Sequence, residues 1–388
     1  MPTYRNLVQR AKEIDYMLDE LHSQQKKEEV QGTFPVSSRP KGKGEKEVSS
    51  HFQHVDMAFD LAGKQITRSL GEEIAAAAQL LLNLSPLPDG YLYLATYRRA
   101  FLERYGEYRE IPLLELLDSQ IGLGLPAHYV DRQASITKEK KPQSVREQVL
   151  LNLALTALRD RQSILHLDEK TFLSLEPSHL ALETAPPSLD IYVLLATSSL
   201  TALNKGQFHL IIGPNGGTQQ AGRTLARFSN LLGAEATEAL RRTASTEEAL
   251  TPGSIWAELV YMPRDSRLAN VLLRPNTRRY EILYGVSKGT SSAQIIPLKE
   301  IVIGVRNKRF YARWTAKQCD LIVSSGHMLD PLQAPAIARF LSDLSQDQTP
   351  QLRQFHWGRQ KDFHFSLAFK QDVLSCAWLS GVYILHFI

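Results

Sequence analysis

The sequence predicts an α+β fold, with an N-terminal helical portion followed by a mixed or antiparallel, strand-rich portion with few helices. Three observations lead there. Through residue 163 the long apolar segments repeat at three- and four-residue spacing, the period of a helix with one buried face. From residue 164 the apolar residues gather instead into short runs rich in Ile, Val and Tyr, bounded by Pro, Gly, Asn and Ser. Helices come first and strands second, without the strict alternation of a doubly wound sheet.

Residues 1–30 read as a helix, with Leu7, Ala11, Ile14, Met17, Leu18 and Leu21 on one face. The stretch GTFPVSSRPKGKGEKEVSS has too few apolar residues to pack and reads as a linker. HFQHVDMAFDL alternates apolar and polar residues, as a half-buried strand does. Ile66 to Leu84 reads as a helix that stops at Ser85-Pro86. A second helix, Tyr91 to Tyr105, is expected to end in a left-handed cap at Gly106. Gly122, Gly124 and Pro126 mark a loop, TKEKKPQS a charged linker, and SVREQVLLNLALTALRDRQ a further helix. The strand candidates are SILHL, LDIYVLLATS, FHLIIG, SIWAELVYM, YEILYGV, AQIIPL and IVIGV. Among them AGRTLARFSNLLG and PLQAPAIARFLSDLS read as helices, and no internal repeat is found.

The chain has 388 residues, 43% hydrophobic and 22% charged, which is enough apolar content for a sizeable core. Its length suits two or three domains. Cys319 and Cys376 have no metal-ligand spacing; two isolated thiols suit a reducing cytoplasm better than a disulfide across that gap. The first residues carry no signal-peptide pattern. The apolar C-terminal run CAWLSGVYILHFI has thirteen residues, short of the roughly 20 that cross a bilayer. A cytoplasmic protein without a membrane span is expected.

Four places offer chemistry. Gly217 to Thr224 reads G-x-x-x-x-G-R-T after an apolar strand, one residue away from a phosphate-binding loop. Arg223 stands where such a loop carries lysine, so a plain strand-to-helix connection is favoured over a nucleotide binder. Between residues 264 and 313, eleven Lys or Arg face three acids, a net +8 in a chain whose total is +4. Tyr280, Tyr284, Phe310, Tyr311 and Trp314 interleave with these cations. That suits phosphate-backbone binding with base stacking, and equally a solvated sheet edge. His327 follows an apolar strand and reads first as a core or loop histidine. Asp56 lies in the strand candidate, where a carboxylate most often partners a nearby cation such as Arg68. No histidine spacing suggests zinc, and no metal is expected.

Four segments, in order over residues 50–360, together resemble the lantibiotic dehydratase family. They are FLERYGEYREIPLLELLDSQIGLGLP, IIGPNGGTQQAGRTLARFSNLL, AELVYMPRDSRLANVLLRPNTRRYEI and SSGHMLDPLQAPAIARFL. Ala226 replaces the glycine of the family's Gly-Arg-Phe. The resemblance implies transfer of glutamate from glutamyl-tRNA onto Ser and Thr of a precursor peptide during lanthipeptide biosynthesis. Glutamyl-tRNA is then a co-substrate and no other cofactor is implied. A carboxylate ester leaves more readily than hydroxide, so this activation precedes elimination.

By position in these matches, Asp56, Arg223 and Arg227 are the catalytic candidates. Asp56 would orient the nucleophile or hold the glutamate amine, and Arg227 would hold a carboxylate or phosphate. Arg264, Arg267, Asn270, Arg274, Arg278 and Arg279 are the candidates for holding tRNA or substrate. The expected parts are an N-terminal helix and linker (1–50), helical (51–163) and strand-rich (164–360) parts of a glutamylation domain, and an atypical tail (361–388) of frameshifted character. The family's N-terminal section and elimination domain are expected to be missing. A separate elimination polypeptide or a cyclase would then be a partner, and the resemblance implies a homodimer. The competing readings are a non-catalytic remnant that binds tRNA or a leader peptide, and a P-loop-like nucleotide binder.

Overall fold

The computed structural model describes residues 56, 67–130, 145–161, 164–167, 174–175, 185–289, 291–353, 366–369, 375–379 and 382–386. The chain forms two compact units, Met1–Met57 and Ala58–Ile388. Of the first only Asp56 is described, exposed and in irregular backbone. The helix expected over residues 1–30 and most of the strand expected around Asp56 lie outside the described residues.

The second unit opens with α1 (Arg68–Asn83) and α2 (Leu92–Tyr105). α2 buries Leu94, Tyr97 and Phe101, the helical face its spacing predicts. Gly106 has φ 80° and ψ 179°, so it is not the left-handed cap expected. Its N–H still bonds to Leu102 O at 3.0 Å, which satisfies the helix end, and the chain leaves extended toward the strand that follows.

Strand β1 (Ile111–Pro112) and the turn Leu113–Leu116 follow, then the Gly-Leu-Gly loop. Arg104 at the end of α2 holds this loop, donating to Ile121 O at 2.7 Å and Gly122 O at 2.8 Å. Tyr97 donates to Gly124 O at 2.7 Å. A Cβ on Gly122 would stand 2.0 Å from Glu115 O, so only glycine fits. Much of the first resembling segment is thus an internal clamp. After it come the short turn Ala127–Val130 and helix α3 (Val145–Arg159).

From residue 164 the strands follow: β2 (Ile164–Leu167), β3 (Leu189–Ala196), β4 (His209–Gln219), β5 (Ser254–Tyr261), β6 (Tyr280–Tyr284), β7 (Gln294–Ile295), β8 (Ile301–Arg306), β9 (Arg309–Trp314), β10 (Cys319–Ser324), β11 (Ser366–Phe369), β12 (Ser375–Leu379) and β13 (Val382–His386). Helix α4 (Ala234–Leu250) separates β4 from β5, and α5 (Ala336–Leu344) follows β10. One sheet has the order β1-β8-β9-β10-β5-β6-β7. Its β1-β8-β9-β10 half is antiparallel, and its β10-β5-β6-β7 half is parallel. β12-β13-β4-β3 form an antiparallel sheet and β11-β2 a parallel pair. The α+β class with a mixed sheet is therefore the observed one.

Two apolar cores hold the unit. α2, α5 and the mixed sheet share Phe101, Ile282, Ile303 and Phe340. α1, α3 and the start of β4 share Leu70, Leu81, Leu150 and Leu210. Phe101 and Phe340 are fully buried; side chains of this kind each contribute about 1.5–3 kcal/mol.

The helix expected from AGRTLARFSNLLG is not formed. Residues 220–225 are turns, 226–228 a 3₁₀ turn, and Ser229–Leu232 a single helical turn ending at Gly233, whose φ is 89°. The real helix is α4, which begins just past that glycine. The phosphate-loop geometry is absent for the same reason: β4 runs on through the glycines, pairing Gly217 with Ile191, and no helix opens after it.

Candidate functional site

The site begins where β3 and β4 pair. A Cβ on Gly217 would lie 1.8 Å from Asp190 O, so glycine lets the two backbones close. The Asp190 carboxylate then reaches past the end of β4. Its Oδ1 accepts from Gly222 N at 2.7 Å, and its Oδ2 from Thr224 N and Oγ1, both at 2.9 Å. Ser188 Oγ accepts from Ala221 N at 2.9 Å. These bonds take up N–H groups that a helix would have used, so the segment stays a rigid turn.

That turn presents Arg223. Its Nε donates to His327 O at 3.0 Å, and one terminal nitrogen to Thr218 Oγ1 at 3.2 Å and Gln219 O at 3.4 Å. The other terminal nitrogen has no hydrogen-bond partner among the described residues. Burial draws the guanidinium below its ordinary value, while Glu258, Tyr91, Tyr261 and Asp190 favour the charge. An arginine stays protonated under such conditions.

Opposite stands His327, on the chain leaving β10 and 2% exposed. Its Nδ1 accepts from Leu329 N at 3.3 Å, and its ring meets Tyr261 edge-on at 5.5 Å. Burial, then Arg274 and Arg223, push it down to about 2, so it is neutral. With Nδ1 accepting, the hydrogen-bond pattern assigns the proton to Nε2, a buried donor without a partner among the described residues.

Glu258 of β5 ties the site together. It accepts from Arg274 Nε at 2.5 Å, Ser324 Oγ at 2.5 Å and Gly326 N at 2.8 Å. Behind it lies a cavity of about 30 Å³, lined in part by Gln220, Gly222, Glu247, Arg274 and Arg278, large enough for a water.

The structure brings Arg223 and Arg274 together around Glu258 and His327. Arg227 lies on the same turn, stacked on Phe228 at 4.8 Å. Arg278 is buried behind the site, paired with Glu247 and stacked on Trp256 at 4.3 Å. Arg267 forks onto Asp265 in exposed backbone, with Asn270 exposed nearby and Arg279 exposed over Tyr280. Arg264 is exposed at a separate pocket. Asp56 belongs to the other unit.

Sequence reasoning passed over Asp190, Glu258 and Tyr261. The signal was an acid inside each of the apolar runs LDIYVLL and SIWAELVYM, where a carboxylate that leaves water needs partners; Asp190 is half-buried and Glu258 buried, and both are hydrogen-bonded. Among the described residues no group of three or more His, Cys, Asp or Glu is placed to hold a metal, and no helix is long and apolar enough to cross a membrane.

The sequence model of the family "Lantibiotic dehydratase, N terminus" matches residues 3–374. The chain belongs to the lantibiotic dehydratase family. The subtilin biosynthesis protein SpaB of Bacillus subtilis is 29% identical over 307 residues, covering 76% of this chain and 29% of SpaB. The nisin biosynthesis protein NisB of Lactococcus lactis subsp. lactis is 26% identical, covering 75% of this chain and 28% of NisB. The crystal structure of the tRNA-dependent lantibiotic dehydratase MibB from Microbispora sp. 107891 is 28% identical with a TM-score of 0.71, covering 80% of this chain and 30% of MibB. The chain thus spans about a third or less of the length of each of these three relatives.

Proposed function

We propose that this chain carries part of a glutamyl-tRNA-dependent transferase that moves glutamate onto Ser or Thr of a precursor peptide. One observation carries the reading. The Arg223 guanidinium is fixed by three acceptors, one of them the His327 carbonyl, and its second terminal nitrogen has no hydrogen-bond partner among the described residues. A carboxylate on that nitrogen gains a charge-assisted hydrogen bond in a pre-set direction. The glutamate side-chain carboxylate suits it, because orienting the acyl group is what this reaction needs.

In the reaction the peptide hydroxyl oxygen attacks the ester carbonyl carbon of glutamyl-tRNA. The bond to the ribose oxygen breaks, and the hydroxyl proton ends on that oxygen. Arg223 holds the glutamyl group and Arg227 supplies a second cation from the same turn. Arg274, fixed by Glu258, lowers the cost of bringing anions in. Arg264, Arg267, Asn270 and Arg279 are offered as tRNA contacts because they are exposed, and Arg278 as their internal support. Asp56 is proposed on the family resemblance alone, as the group that orients the hydroxyl. The divisions 1–50, 51–163, 164–360 and 361–388, a homodimer, a separate elimination polypeptide or cyclase, and a cytoplasmic setting belong to the same proposal.

The test is radiolabelled glutamyl-tRNA with a Ser/Thr-rich precursor peptide, with and without a separately supplied elimination polypeptide. Label on the peptide in either mixture is expected. Arg223→Lys should then lower labelling at least tenfold, since lysine keeps the charge and loses the fork, with the urea midpoint little changed. Bound tRNA without labelled peptide in both mixtures would leave a binding remnant and sink the transferase reading.

A further inference from the structure

A second pocket, of about 300 Å³, lies between the turn Ala127–Val130 and residues 331–339, lined in part by His128, Tyr129, Arg264, Gln333 and Arg339. Its Arg339 side chain is 9% exposed. Asp343 Oδ2 stands 3.6 Å from Arg339 Nε, but that carboxylate is already taken by Tyr93 Oη at 2.7 Å and Tyr129 Oη at 2.5 Å. Arg339 Nε is buried without a hydrogen-bond partner among the described residues, no side-chain hydrogen bond ties the terminal nitrogens there either, and the guanidinium rests 4.1 Å over the Tyr129 ring. A buried, charged donor left unused is destabilising. An anion in the pocket would meet the terminal nitrogens of this guanidinium and gain charge-assisted hydrogen bonds. Arg264 offers a second guanidinium, exposed and without a side-chain partner among the described residues.

The pocket also has an aromatic wall. His128 stacks on Tyr93 at 4.8 Å and 18°, and Tyr93 on Tyr91 at 5.1 Å and 16°. His128 is the member of this column that lines the pocket. A planar ring laid on it would extend the stack, as a nucleobase does on an aromatic side chain. Ring wall, paired guanidinium groups and volume together describe one ligand class. We propose that this pocket binds one unpaired ribonucleotide, with its base on His128 and its phosphate on Arg339 and Arg264.

The inference rests on the glutamyl-tRNA reading and names where a single-stranded nucleotide of that partner sits. The electrostatics connect the two places, since Tyr91 feels both Arg223 of the first site and Asp343, Arg339 and Arg353 around the second.

Saturation-transfer NMR on the full chain tests it, with adenosine 5′-monophosphate, adenosine and inorganic phosphate as probes. The monophosphate should bind at millimolar concentration or tighter, at least fivefold better than either fragment. His128→Ala and Arg264→Ala should each weaken it at least fivefold while the thermal midpoint holds; neither depends on removing the buried Arg339. No binding of the monophosphate, or binding indifferent to both substitutions, overturns the pocket. So does a double variant that loses the monophosphate but binds glutamyl-tRNA as well as the parent. Nucleotide binding that responds to both substitutions in a chain that never transfers glutamate upholds the pocket and fails only the transferase reading.

Discussion

His327 makes a pH prediction whose sign follows from its burial. In the unfolded chain an imidazole titrates near 6.5, and in the folded protein it is held down to about 2. Between those values the unfolded state binds a proton that the folded state does not, so stability falls as pH falls below 6.5. From pH 7 to pH 5 this one group should remove about 2 kcal/mol. Asp343 contributes with the opposite sign, because its folded carboxyl is raised and its contribution weakens as pH climbs above the ordinary carboxylate value. Comparing the parent with His327→Gln cancels it. Urea unfolding at pH 7 and 5 should show an acid loss smaller by about 2 kcal/mol in the variant; equal losses would mean that His327 is protonated in the fold. Glu258 gives a second prediction. Its Arg274 partner and its own side chain are each 10% exposed. Glu258→Ala therefore leaves a buried cation, at a cost of about 3–5 kcal/mol. Glu258→Gln keeps an acceptor and should cost less, and the two urea midpoints give the order.

At the scale of elements, what the sequence revealed depended on whether an element is fixed by its own residues or by distant ones. α1, α2 and α3 carry their apolar period within themselves, and β5, β6 and β8 are apolar runs between turn residues, so all were readable. The turn at 220–228 was not. Its residues are those of a helix start, and what prevents the helix is the Asp190 carboxylate, placed there by strand pairing. α4 was missed for a related reason: AEATEALRRTASTEEAL has few apolar residues and buries only Leu240, Ala244 and Glu247. Its helix rests on good helix formers and on the Glu247–Arg278 pair rather than on an apolar stripe. Gly217→Val tests the strand pairing. The added Cβ meets Asp190 O, so β3 and β4 must part, and Asp190 no longer reaches the turn. Hydrogen exchange at residues 220–226 should rise at least tenfold, while the protection of β8 and β9 is kept. Unchanged exchange at the turn would show that it holds without the clip.

For the whole molecule, the question is how much of the charge seen in the sequence faces solvent. The net +8 of residues 264–313 was plain to read, but its partners were not, because they come from other strands and helices. Arg274 is paired with Glu258, Arg278 with Glu247, Arg306 with Asp320 and Arg313 with Glu110, while Arg267 is held locally by Asp265. A cation already facing a carboxylate releases few counterions when it meets a phosphate. That leaves six cations of this stretch outside any ion pair among the described residues: Arg309, half-buried and bonded to Ser345 O and Thr349 Oγ1, and the exposed Arg264, Arg279, Lys288, Lys299 and Lys308, which alone of the six face solvent. With about 0.7–0.9 counterions released per neutralised phosphate, the slope of log affinity for tRNA against log salt should be near −3 to −5. Had all eleven cations faced the nucleic acid, it would approach about −8 to −10. Filter binding of tRNA from 50 to 300 mM salt separates the two. The shallow slope, made shallower by about one in Arg279→Ala, would mean that most of this charge serves the fold. The steep slope would mean that the internal pairs open when tRNA binds, and that the proposed interface is larger than its exposed residues.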